Sequence, residues 1–414
     1  MIYLFVHQNF PGQYKHLARA LADDPSNQVF FITRANQNWM QGVEKLVYAA
    51  PTAPVGQCHP YVVEMHHAAH AGDAVAAECM KLRERGIVPD IVIGHAGWGE
   101  TLFIRNVFPG VPILANFEFY YRAQDSDVDF DPEFASVFNS ADRLHMRNAV
   151  SLLAFESATH GHSATRWQHE LHPAHMRSGI TVLHEGVDTR RVRPDPNAVL
   201  ELPERGLSLS PDDEIVTFVA RNLEPYRGFH VFMRALPALL KKRRKAHVLI
   251  VGGNGVSYGS PSAPGTTWRE CLLAELGDRL DTDRVHFLGQ VEYEQYIRIL
   301  QVSSAHVYLT YPFVLSWSFL EAMSAGCIVV GSGTAPVLEV LKPDVNGFAV
   351  DFLSPEALSS CLAAVLGNRR RLSRIRAEAR ATAVRQFDLE TVILPRWHAL
   401  IARLVGKPAQ GLAA

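Results

Sequence analysis

The chain has 414 residues, 48% of them apolar and 20% charged, with a formal net charge of −2. That length suits two domains of ordinary size, and the composition is that of a folded protein rather than a disordered one. The near-neutral balance offers no bulk attraction to nucleic acid or to an anionic membrane, so no nucleic-acid partner is expected.

The sequence opens with Met1-Ile2-Tyr3-Leu4-Phe5-Val6-His7, which lacks a basic leader and is too short for a signal peptide. A strand is expected at Ile2–His7, followed by the turn Asn9-Phe10-Pro11-Gly12-Gln13. Further strands are expected at Val29–Thr33, Ile91–His95, Val111–Phe117, Ser151–Phe155 and Ile180–His184. Helical patterns lie between them at Tyr14–Ala22, Tyr61–Arg85 and Glu133–Asn148.

The polar, Pro-bearing stretch 186–196 reads as a linker. Beyond it the rhythm restarts, with strands at Glu214–Ala220, His247–Gly252, Val285–Gly289, His306–Thr310, Cys327–Gly331 and Gly347–Phe352. Near-continuous apolar strands alternating with helices indicate parallel sheets covered on both faces. The expected architecture is α/β, with two Rossmann-like doubly wound domains, 1–190 and 191–388, facing across a cleft. A last helix at Val392–Val405, within 389–414, is expected to cross back to the first domain.

No run of about 18 apolar residues appears, so no bilayer span is expected and any membrane contact would be peripheral. The five cysteines, Cys58, Cys79, Cys271, Cys327 and Cys361, are scattered and form no CxxC pair. They read as reduced thiols of a cytoplasmic protein, and no metal is expected. His66 and His70 stand one helical turn apart without an evident third ligand. The acidic run Asp125–Asp131 lacks the glycine and glutamate of a calcium loop and reads as surface. Lys241–Lys245 reads as the solvated, dipole-complementing end of a helix.

Chemistry concentrates in the second half. In Ala220-Arg221-Asn222-Leu223-Glu224-Pro225-Tyr226-Arg227-Gly228 two guanidiniums follow a strand, where each can bind two phosphate oxygens or simply pair with surface acids. Next comes Ser316-Trp317-Ser318-Phe319-Leu320-Glu321-Ala322-Met323, a helix start whose amides suit an anion. Glu321 suits ribose hydroxyls, although Ser318 and Glu321 also fit a capping box. A third loop, Gly331–Glu339, opens another helix with Pro336, and the Gly-rich stretch from Gly252, including Gly253, follows a strand at the same edge. Three such loops on successive strand ends point to a diphosphate site.

These segments, with His184-Glu185-Gly186-Val187-Asp188-Thr189, Leu320–Gly326 and Pro336…Glu339…Asn346-Gly347, make the chain resemble the retaining glycosyltransferases of family four, which have the GT-B fold. The resemblance extends over nearly the whole length. It implies transfer of a sugar from a nucleoside diphosphate donor, as co-substrate, to a hydroxyl of a glycan, lipid, protein or small molecule, without a metal or other cofactor. By resemblance Arg221 and Arg227 grip the diphosphate, and Glu321 binds the ribose. Asn222, Gly253, Ser316, Trp317, Ser318 and Glu339 complete the donor site, and Gly12 gives a ligand close access to the backbone. Two departures stand out: Arg227 replaces the usual lysine, and Phe313 replaces the acid eight residues before Glu321, for which Ser316 or Ser318 would substitute. In the first domain, Glu118 occupies the place of a histidine near the reacting carbon, with His95 one strand earlier. Both are catalytic candidates, as well as a surface acid and a buried imidazole. A nucleotide-sugar epimerase and a non-catalytic nucleotide-sugar-binding subunit share this architecture.

Overall fold

The computed structural model describes residues 1–49, 58–135 and 141–406. The chain divides into unit 1, comprising Met1–Val128, Val137–Gly186 and Leu389–Ala414, and unit 2, comprising Asp129–Ser136 and Val187–Asp388.

Unit 1 is built on a seven-stranded parallel sheet of order β3-β2-β1-β4-β5-β6-β7. Its strands are β1 (Ile2–Val6), β2 (Gln28–Thr33), β3 (Val43–Val47), β4 (Ile91–His95), β5 (Ile113–Asn116), β6 (His160–Ser163) and β7 (Ile180–Val182). Alternation along β1 divides its side chains between two cores. Tyr3 and Phe5 pack with Leu17, Leu21, Phe31 and Trp397, while Leu4 and Val6 pack with Val75, Leu82 and Val92. With both faces covered, β1 and β4 are nearly continuous apolar runs. Among the described residues no helix is long and apolar enough to cross a membrane.

Unit 2 adds the antiparallel pair β8 (Leu200–Leu202) and β9 (Leu207–Leu209) to a six-stranded parallel sheet of order β12-β11-β10-β13-β14-β15. Those strands are β10 (Ile215–Asn222), β11 (His247–Gly253), β12 (Val285–Gly289), β13 (Ala305–Tyr308), β14 (Ile328–Ser332) and β15 (Phe348–Val350). In both sheets the order reverses beside the first strand, the doubly wound arrangement that leaves a crevice at strand C-termini. His7 and His95 flank that point in unit 1; Asn222 and Tyr308 flank it in unit 2.

The final helix, Leu394–Leu404, packs in unit 1, with Trp397, Leu400 and Ile401 against Leu17 and Leu21. The Trp397 indole donates to the His184 carbonyl at 3.2 Å.

Several expectations need correction. Ser151–Phe155 is not a strand but part of the helix Ala149–Ser157, which buries Val150, Ser151 and Ala154 along one side. The true sixth strand, His160–Ser163, was hidden by its polar composition. The helix expected over Glu133–Asn148 is a short turn at Pro132–Phe134 and a helix at Ala141–Arg147; residues 136–140 lie outside the described residues. Residues 129–135, expected within the first domain, pack in unit 2. Phe130 meets Tyr311 and Phe352, and Phe134 meets His230 and Trp268. Asp131 accepts from Tyr311 at 3.1 Å and lies 3.0 Å from His230, while Glu133 grips Arg234 with both oxygens. The acidic run is therefore no surface loop at its end: Asp131 is buried.

Candidate active site

In unit 1 the C-terminal ends of β1, β4 and β5 bring together His7, His95 and Glu118. Each histidine takes its tautomer from a backbone amide two residues on: Asn9 N–H donates to His7 Nδ1 at 2.9 Å, and Gly97 N–H donates to His95 Nδ1 at 3.0 Å. Both rings therefore carry their proton on Nε2. His7 Nε2 donates to Gln13 Oε1 at 2.5 Å, and Gln13 Nε2 donates to Glu118 Oε1 at 2.7 Å. His95 Nε2 lies 3.4 Å from Glu118 Oε2, an electrostatic contact rather than an aligned hydrogen bond.

The electrostatics follow from this arrangement. Burial, and then the neighbouring His95, push His7 down to about 3, so it is neutral at any working pH. Burial alone would raise the Glu118 carboxyl, but His95 and the Gln13 amide outweigh it and hold the group below the usual carboxylate range. Trp98 stacks on His95 at 3.8 Å between ring centroids. A cavity of about 270 Å³ opens here, lined by His95, Trp98 and Glu118 together with Arg34, Glu64, His67, Tyr121 and Arg147. Arg147 lies over the Tyr121 ring at 3.7 Å and pairs with Glu64 at 3.0 Å. Asn148 clamps the Tyr121 backbone through both its amide and carbonyl, at 2.8 and 2.9 Å.

Gly12 has a more local reason than ligand access. Its φ is +53°, and a Cβ there would stand 2.6 Å from the His7 ring. The glycine lets the imidazole sit against the turn that carries Gln13.

In unit 2 the two arginines differ. Arg221, near the end of β10, is exposed. Arg227 is only 7% exposed, and its Nη1 donates to Tyr308 Oη, Thr310 Oγ1 and the Val314 carbonyl at 3.2, 2.9 and 3.0 Å. Tyr258 and Phe313 lie over its guanidinium at 5.2 and 5.8 Å. Every one of these partners is neutral, and among the described residues no carboxylate pairs with it. A buried, uncompensated cation is costly unless an anion reaches it.

The three loops named from the sequence converge on this cation. Thr310, which receives Arg227, exchanges hydrogen bonds with Ser332, and Thr334 donates to the Thr310 carbonyl at 3.3 Å. Asn222 accepts from Gly255 N–H and donates to Ser257; buried Glu224 accepts from the amides of Ser257, Tyr258 and Gly259. Together they pin the Gly-rich loop that carries Tyr258 to Arg227. Gly253 pairs with Asn222, and a Cβ there would stand 2.7 Å from Asn222 Oδ1.

The helix Trp317–Ser324 starts on Ser316, not Ser318: Ser316 Oγ accepts from Ser318 N–H at 3.4 Å. The expected Ser318–Glu321 capping box is therefore absent, and Glu321 instead accepts from Tyr293 and Tyr296 at 2.6 and 2.8 Å. The hydroxyls of Ser316 and Ser318 bond to each other at 3.1 Å, and Ser316 N–H is given to Tyr308. Trp317 is half-buried at the helix start, and Glu339 is half-buried on the helix Ala335–Val340.

Asp131, Glu133 and His230 place potential metal ligands within 4.8 Å of one another. Arg234 already occupies Glu133, and Asp131 and His230 answer each other, so the cluster serves the packing of residues 129–135. The five cysteines are free thiols.

Two family descriptions match the chain: the glycosyl transferase family 4 group over residues 25–192 and the glycosyl transferases group 1 over residues 204–382. Both halves of the chain thus match glycosyltransferase families, the second half group 1.

Family resemblance extends to individual proteins. A D-inositol 3-phosphate glycosyltransferase of Nocardia farcinica is 29% identical over 212 residues, covering 50% of this chain and 44% of that protein. A GDP-mannose-dependent α-(1-6)-phosphatidylinositol monomannoside mannosyltransferase of Mycobacterium tuberculosis is 27% identical over 241 residues, covering 55% of each chain. The chain spans about half the length of the curated relatives it matches. Among solved structures, Anabaena HepE in complex with UDP-glucose has a TM-score of 0.69 at 16% identity, covering 98% of this chain and 99% of that one. Sucrose-phosphate synthase of Thermosynechococcus elongatus has a TM-score of 0.71 at 17% identity, with 98% and 99% covered. At such identity these structures show the GT-B glycosyltransferase fold.

Proposed function

We propose that the protein transfers a glycosyl group from a nucleoside diphosphate sugar to an acceptor hydroxyl, with retention at the anomeric carbon and without a metal. The observation that carries this reading is Arg227: a buried guanidinium whose hydrogen-bond partners among the described residues are all neutral. A diphosphate is the ligand that answers it, with Arg221 as a second, solvent-facing grip and Glu321 as acceptor for ribose hydroxyls. The relatives point the same way, one being named for GDP-mannose and one solved with UDP-glucose.

The bond from the anomeric carbon to the diphosphate oxygen breaks and the bond to the acceptor oxygen forms on the same face. The acceptor proton passes to the departing phosphate oxygen. The guanidiniums stabilise the charge that develops there and take the place of a metal ion. In unit 1, the roughly 270 Å³ cavity has room for a molecule of monosaccharide size. Glu118, held ionised, accepts a hydrogen bond from a second hydroxyl of the acceptor and so orients it, which leaves the reacting hydroxyl's proton to the phosphate oxygen.

The test is a thermal-shift and calorimetry panel of UDP, GDP, ADP and their hexose conjugates. One base is expected to raise the melting temperature and bind at one site per chain. Absence of binding across the panel would sink the reading. Anomeric configuration is then read by NMR of the product, and activity is expected to survive EDTA. Phe313 favours a second reading, a binding subunit that holds the donor and turns over nothing.

A further inference from the structure

We propose that Gln13 and His7 are positioning residues that fix the Glu118 carboxylate in place for that second acceptor hydroxyl. The proposal rests on the reading of Glu118 given above. The hydrogen bonds from His7 to Glu118 run in one direction only. Asn9 N–H occupies His7 Nδ1, so His7 can only donate through Nε2, at 2.5 Å to Gln13 Oε1. That bond settles which end of the Gln13 amide faces which neighbour, since a flipped amide would set two donors against each other. The Gln13 NH₂ is thereby aimed at Glu118 Oε1, at 2.7 Å.

One carboxylate oxygen is thus held by an amide, while the other faces His95 Nε2–H at 3.4 Å on the cavity wall. The left-handed turn at Gly12 makes the arrangement possible, because any side chain there would strike the His7 ring. An amide does not readily relay a proton, and His7 stays neutral throughout the working range. The chain is therefore an orienting device and not a proton wire. Without the Gln13 donor, Glu118 loses a charge-assisted hydrogen bond, binds a proton more readily and is free to swing. The other charged or titratable groups on the cavity wall are Arg34, Glu64, His67, Tyr121 and Arg147.

The test uses the full chain labelled with [5-¹³C]glutamate, the Glu118 resonance being assigned through Glu118→Gln. In Gln13→Leu, which keeps size and shape, the Glu118 titration is expected to move upward, with roughly tenfold tighter proton binding. His7→Phe is expected to move it in the same direction by less, with melting curves confirming that both variants fold. The acid limb of the transfer rate, measured with whichever nucleotide sugar the panel selects, is expected to follow, with donor KM unchanged. An unmoved Glu118 titration in Gln13→Leu overturns the proposal. A moved titration with an unmoved rate profile upholds the positioning chain and overturns the acceptor role of Glu118.

Discussion

Tyr296 donates its phenol to Glu321 at 2.8 Å, and Tyr293 donates to the opposite oxygen of the same carboxylate at 2.6 Å. Burial, and then the Glu321 charge, push both phenols up, so they remain donors. Tyr296→Phe leaves a buried carboxylate short of one partner and is expected to cost about 1.5–3 kcal/mol. Urea unfolding measures that cost, and a wild-type midpoint would refute it. If Glu321 accepts from a ribose as proposed, nucleoside diphosphate affinity is expected to fall several-fold, since the carboxylate is no longer held.

Arg227→Ala and Arg221→Ala are expected to differ because only Arg227 is buried in neutral surroundings. Removing Arg227 is expected to lower turnover about 100- to 1000-fold, the range seen when a preorganised donor to developing charge is lost. Arg227→Lys retains charge but has fewer donors for Tyr308, Thr310 and Val314, and is expected to fall between. Calorimetry with the selected nucleoside diphosphate ranks the variants; equal losses at both positions would contradict the asymmetry.

Six buried histidines make stability depend on pH. Burial lowers His7, His162 and His306 to about 3 and His172, His184 and His286 to about 4. Their folded values lie below the unfolded value near 6.5, so the unfolded chain takes up protons first. Their contribution is therefore complete above about pH 6.5 and is lost as pH falls toward 3–4, each group accounting for roughly 1.4 kcal/mol per pH unit within that window. Denaturant midpoints between pH 7 and 4.5 are expected to fall steeply. His162→Leu should flatten the slope by one group's share, because neither ring nitrogen of His162 has a hydrogen-bond partner to lose among the described residues.

Gly12→Ala combines a strained φ of +53° with a 2.6 Å approach to His7. A cost of roughly 1–3 kcal/mol is expected from the backbone alone. The displaced imidazole should also disturb Gln13, so Glu118 titrates higher here as well. A variant that melts and titrates like the parent would exclude both effects.

Much of the fold was legible because parallel strands buried on both faces are nearly uninterrupted apolar runs, as at Ile91–His95 and Ile328–Ser332. The run Ser151–Phe155 misled because apolarity alone does not separate a short buried strand from a helix. His160–Ser163 escaped because its histidine and serine are polar side chains that the core nevertheless accepts. At the site, Arg227, Glu118 and His95 stood out by residue type and place after a strand. Gln13, Tyr296, Asn148 and Glu224 did not, since each acts through partners distant in sequence: Gln13 meets Glu118 across 105 positions. The Ser318–Glu321 spacing fitted a cap, yet Ser316 begins the helix and two tyrosines claim the glutamate.

The peptide 129–135, which unit 1's chain lends to unit 2, has a consequence for dissection of the protein. A fragment begun at Val187 would contain His230 and Arg234 but neither Asp131 nor Glu133, and would expose the aromatic seat of Phe130 and Phe134. Chimaeras that join two relatives by a single crossover would inherit a mismatched plug. Recombination has to carry that heptapeptide together with the C-terminal half, and leave the final helix with the N-terminal one.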